Sequence, residues 1–143
     1  MRALTWWFRI TGVVYLLLGA SWAPGISQAT LATKIPDFDG PIGGTAYTGY
    51  FDWMTGFGID LFVTGIFLLV ASRRPSRAML LFWLVIVLGL TRGIGLDAYL
   101  IVAGYPLVSN LVFIAVHAAI IVTGLLCRRA ARDRLREDDA AFA

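Results

Sequence analysis

Residues 83–99 read WLVIVLGLTRGIGLDAY. They sit inside a longer apolar run, 78–103, which exceeds the about 20 residues a helix needs to cross a bilayer. Yet the run carries Arg92, and a lone charge at that depth costs at least about 2.5 to 3.5 kcal/mol. Such a residue needs a partner. The acidic candidates are Asp52, Asp60 and Asp97, and His117 supplies one imidazole in the middle of a later apolar run.

Composition agrees with a bilayer setting. Of 143 residues 59% are hydrophobic, and the mean hydropathy of +0.78 removes the chain from the soluble globular class. Only 15% are charged, and they are clustered, so the net charge of +3 reflects membrane orientation and gives no nucleic-acid surface. The single cysteine, Cys127, excludes an intrachain disulfide and any multi-cysteine metal site; beside Arg128 and Arg129 it reads as an interfacial thiol.

Outward from the opening stretch, the chain divides into four spans, expected at about 5–23, 50–72, 78–103 and 107–127. Together they form a transmembrane domain over 1–127. In the first, Trp6, Trp7 and Trp22 are expected as interfacial belts, with Arg9 snorkelling to headgroups. Arg2 before an apolar core and the spaced small residues Ser27 and Ala29 imitate a secretory signal, but the double tryptophan and Arg9 argue against cleavage. Residues 24–49, rich in Gly, Pro, Thr and Asp, read as the long extramembrane loop. Its DFDGPIGG places Asp37 and Asp39 like the start of a calcium loop, but the later ligands of that motif are missing. The short connection RRPSR (73–77) makes the second and third spans antiparallel neighbours. The tail 128–143 is basic and then acidic, with Asp133 and Glu137 set to repel and Arg134 and Asp138 to attract.

Ten arginines, at 2, 9, 73, 74, 77, 128, 129, 132, 134 and 136, fall on one side of this arrangement, against Lys34 on the other. The positive-inside rule then puts both termini in the cytoplasm and the Gly-rich loop outside, with the protein multi-pass in the membrane. Asp60 lies roughly 12 Å deeper than Asp52, near the midplane, and Arg92 falls between them in depth. The guanidinium could therefore reach either carboxylate across the helix pair in a bidentate contact. Asp97, five residues on, points away from Arg92.

Known metal and hydrolase patterns are absent. One histidine and no glutamate within the spans exclude a carboxylate di-iron site, so no protein-held metal and no cofactor are expected. Ser72 and Ser109 lie near span ends without a nucleophile-elbow context. Gly89 and Gly93 form a GxxxG pair, and Ala115, Ala119 and Thr123 a small-residue stripe, both expected to pack helices closely. Gly56 and Gly58 suit close packing or leave room for a ligand.

WWFRITGVVYLLLGA (6–20), DWMTGFGIDL (52–61), LTRGIGLDAYLIVAGY (90–105) and HAAIIVTGLL (117–126) together resemble the BphX-like membrane proteins, first named from biphenyl catabolic gene clusters. The resemblance implies an all-α, four-helix membrane protein linked to the handling of hydrophobic aromatic compounds, and assigns no catalytic residue. The expectation is a four-helix transmembrane bundle with a polar pocket on Asp60 and Arg92, and Asp52, Asp97 and His117 around it. Tyr15, Phe57 and Tyr99 supply aromatic lining for a small, largely apolar ligand. The chain would act as an accessory or uptake component. The rival expectations are a metal-independent lyase, isomerase or epoxide-opening enzyme using an aspartate, and a subunit of a homo-oligomer or a larger membrane complex.

Overall fold

The computed structural model describes residues 1–35 and 38–132. Asp37 and the tail pairs Asp133–Glu137 and Arg134–Asp138 lie outside the described residues. The described part is all-α: α1 (Arg2–Ala20), α2 (Pro24–Ala29), α3 (Leu31–Lys34), α4 (Thr45–Ala71), α5 (Met79–Leu88), α6 (Leu96–Val102) and α7 (Leu107–Ala130). A 3-10 turn, Pro75–Ala78, precedes α5, and a π-helical segment, Gly89–Gly95, joins α5 to α6. Four continuous helices, Arg2–Ala20, Thr45–Ala71, Pro75–Val102 and Leu107–Ala130, are long and apolar enough to cross a membrane. The long loop is shorter than expected, since it contains α2 and α3 and gives way to α4 already at Thr45.

Between lipid tails and apolar side chains there is little hydrophobic drive, so close packing and hydrogen bonds must hold helices together. The tightest seam joins α1 to α4 and is built from four glycines. Gly12 faces Gly65 and Gly19 faces Gly58, two helical turns apart on each antiparallel helix. A Cβ placed on Gly65 would lie 2.8 Å from the Gly12 carbonyl oxygen, and one on Gly19 2.7 Å from that of Gly58. Backbone meets backbone here, which only glycine permits.

The main core gathers at the end of the bundle nearer the Arg73–Ala78 turn. Leu4, Trp7 and Phe8 of α1 meet Leu68 of α4, Phe82, Val85 and Ile86 of α5, and Ile120 and Ile121 of α7. Trp7 is only 4% exposed, which corrects its expected place in an interfacial belt. Its ring fits over Gly124, and Nε1–H donates a 2.9 Å hydrogen bond to the Ile120 carbonyl, so the indole's one polar atom is satisfied inside the bundle. Trp6, 58% exposed beneath the Arg9 guanidinium, does keep an outward position.

The third span is interrupted where its sequence is richest in glycine. Gly89, Gly93 and Gly95 lower the cost of widening the helix, and Thr91 Oγ1 donates to the Val87 carbonyl within the same stretch. Gly104 ends the span at φ +89, with its N–H bonded to Ile101 and that of Tyr105 to Leu100, the paired closure a left-handed residue allows. Two expectations about packing need correction. The second and third spans approach closely only at their connecting turn, because α4 spends its packing face on α1. On α7, Ala115, Ala119 and Thr123 are exposed, and the close contacts are made instead by His117, Ile121 and Gly124.

Candidate functional site

Asp52, Gly56 and Asp60 recur every four residues and therefore share one side of α4. Gly58 and Gly65 dock on α1, so that side is left unpacked by α1. Arg92, in the π segment, reaches toward it. With Trp53, Met54, Gly56 and Phe57, these three charged residues line an open groove of about 590 Å³. Its size is that of a small-molecule site. The groove is open-sided because α4 and the third span diverge beyond the turn that connects them.

Within the groove the guanidinium does not pair with a carboxylate. Arg92 stacks over the Phe57 ring, 4.5 Å from its centroid, and no ion pair joins it to Asp52 or Asp60. The expected bidentate contact is absent because the two helices are not packed neighbours at this level and the Phe57 ring takes the guanidinium's face. Tyr15 of α1, buried to 3% exposure, lies within electrostatic range behind the arginine. A cation–π contact at an exposed position, such as that of Arg92, is worth about 0.5–1 kcal/mol. That falls short of the cost of an arginine in hydrocarbon, at least about 2.5 to 3.5 kcal/mol. Asp52 and Asp60 are also exposed, and among the described residues none of the groove's three charged side chains is ion-paired.

A cap built by the loop adjoins the groove at Phe57. Trp22 packs edge-on against Phe57, with ring centroids 5.5 Å apart, and Lys34 Nζ lies 3.8 Å from the Trp22 ring centroid. The same ammonium donates to the buried Ser27 Oγ at 3.2 Å, and partial burial lowers its pKa from the usual 10.5. Lys34, Trp22, Phe57 and Arg92 thus form one alternating stack from loop to groove.

The remaining expected site residues are elsewhere. His117 of α7 lies flat against Gly93, and its Nδ1 is 2.9 Å from the Phe113 carbonyl. A carbonyl only accepts, so Nδ1 carries the hydrogen. Asp97 is within electrostatic range of that imidazole. The π segment therefore separates two polar sets, Arg92 toward α4 and Gly93 with Asp97 toward α7. Tyr99 is 65% exposed and does not line the groove. Among the described residues no three His, Cys, Asp or Glu side chains converge as metal ligands.

The profile of the BphX-like family matches residues 1–133 of the 143. The chain belongs to the BphX-like family. It is accordingly an integral membrane protein with four transmembrane helices. No curated protein and no solved structure matches this BphX-like chain. Trp53 and Met54, which line the groove, and Trp22 and Lys34, which stack beside it on Phe57, are the residues that sequence reasoning missed. For Trp53 the signal was available, since it lies one residue from Asp52 and four from Phe57; the Lys34–Trp22 contact depends on a loop conformation that no periodicity encodes.

Proposed function

We propose that this BphX-like protein binds a small, largely apolar molecule carrying a polar group, taken laterally from the bilayer into the groove between α4 and the π segment. It serves as an accessory or uptake component for hydrophobic aromatic compounds. The observation that carries the reading is the 590 Å³ open groove, in which Asp52, Asp60 and Arg92 alternate with Trp53, Met54 and Phe57. The apolar side chains match an aromatic body. A hydroxyl, carboxyl or similar group on the ligand would meet the arginine or a carboxylate and recover part of their desolvation cost. Both termini face the cytoplasm of a bacterial cell and the loop cap faces outward, supported by the arginines on one side against Lys34 on the other.

The test is uptake of labelled 2-hydroxybiphenyl by intact bacteria producing the protein. Saturable uptake is expected with the natural sequence and its loss with Asp60→Asn or Arg92→Gln, at equal amounts of membrane-inserted protein. Uptake that is unchanged in both variants refutes the reading.

A further inference from the structure

The groove presents both signs of charge on one unpacked face: Arg92 at the edge contributed by the third span, Asp52 and Asp60 on α4. Among the described residues none of the three has an ion-pair partner, and the stack on Phe57 offsets only part of the cost of Arg92. The exposed charge on α1, Arg9, rests over the Trp6 ring in the first half of its helix, from where it can snorkel to headgroups. The outward stripe of α7, Ala115, Ala119 and Thr123, is uncharged and can be met by lipid. Charge demand therefore singles out one face for a protein partner, and that face complements itself.

A two-fold axis along the bilayer normal keeps every residue at its own depth while exchanging left for right. Asp60 and Arg92 line the same groove in one chain, so they are level enough to meet across two chains. In such an isologous contact residue i meets j and j meets i. We propose that a second copy of this chain docks on the groove, the Arg92 of each pairing with the Asp60 of the other. The two open clefts then face each other, so that the space between them is lined from both sides. The glycine at position 56 suits that approach, since nothing lies within 4 Å of where its Cβ would stand. The inference shares the groove with the ligand site proposed above but does not depend on the ligand.

The test counts subunits by single-molecule photobleaching of labelled protein in dilute liposomes, without any ligand. Two bleaching steps are expected for the natural sequence. Arg92→Asp alone and Asp60→Arg alone each place like charges across the axis, and each should lower the dimer fraction at least tenfold. Mixed together, the two variants should restore dimers containing one copy of each. An intrachain role for the charges does not give that recovery. Should the charge variants fail to insert, Gly56→Cys in a Cys127→Ser background is expected to crosslink between copies under oxidation, whereas Leu80→Cys, 87% exposed on the far side of the third span's core contacts, is not. One bleaching step for the natural sequence, single variants that stay dimeric, no recovery on mixing, or crosslinking at 80 but not at 56 overturns the proposal. A monomer that still takes up 2-hydroxybiphenyl sinks the dimer alone, and a dimer that takes up none sinks the ligand reading alone.

Discussion

Gly19→Ala should weaken the α1–α4 seam and, through it, the groove. The added Cβ would lie 2.6 Å from the Phe62 nitrogen, 2.7 Å from the Gly58 carbonyl oxygen and 2.8 Å from the Phe62 Cβ. Ordinary contact begins at 3.4 Å, and two of these three neighbours are backbone atoms that no rotamer change can move. The helices must separate by roughly 0.8 Å, and in a close-packed interior overpacking of this kind costs about 1–3 kcal/mol. Phe57 adjoins Gly58, so the same shift moves the ring on which Arg92 rests. Gly49→Ala, on the same helix but outside the groove, is the internal control: its Cβ meets nothing within 4 Å, and the helix position gains up to about 1 kcal/mol of helical propensity. Unfolding by SDS in mixed micelles, followed by far-UV circular dichroism, reads both. A Gly19→Ala variant within about 0.5 kcal/mol of the natural protein, or a Gly49→Ala variant destabilised as much as Gly19→Ala, refutes the seam.

Three further perturbations probe separate contacts. Trp7→Phe removes the buried hydrogen bond to the Ile120 carbonyl and should cost about 0.5–1.5 kcal/mol in the same unfolding assay, against less than about 0.5 for Trp6→Phe; equal effects contradict the burial of Trp7. Gly93→Ala drives a methyl into the His117 imidazole and should cost about 1–3 kcal/mol, most of it recovered when His117→Ala is added; additive losses show that the two do not touch. Lys34→Met removes the cation over Trp22, worth about 0.5–1 kcal/mol, and should speed amide hydrogen exchange across α2 and α3 while leaving α7 unchanged; unaltered exchange in the loop excludes the cap.

Four spans were legible because each is an apolar stretch long enough to cross, a property that survives any detail of packing. Finer placement failed where a residue's role depends on its neighbours in space. Trp7 has the sequence context of a belt residue, and only the glycine at 124 makes room for it inside. The seam residues Gly12 and Gly19 are seven apart and lie outside the familiar four-residue pattern, so their pairing with Gly58 and Gly65 shows only once the two helices are laid together. Asp52, Phe57, Asp60 and Arg92 did converge on one groove, since depth can be counted from helical rise. The direct ion pair did not follow, because depth says nothing of how far apart two helices lie.

The most direct measurement is a titration of the purified protein in lipid nanodiscs with 2-hydroxybiphenyl, read by tryptophan fluorescence, since Trp53 lines the groove and is 81% exposed. Saturable quenching is expected for the natural sequence, weakened at least tenfold in Asp60→Asn and Arg92→Gln and largely lost from the signal in Trp53→Phe, with helicity unchanged in all. Quenching that rises linearly with concentration, and equally in every variant, means that the compound only partitions into lipid and contradicts a binding groove on α4.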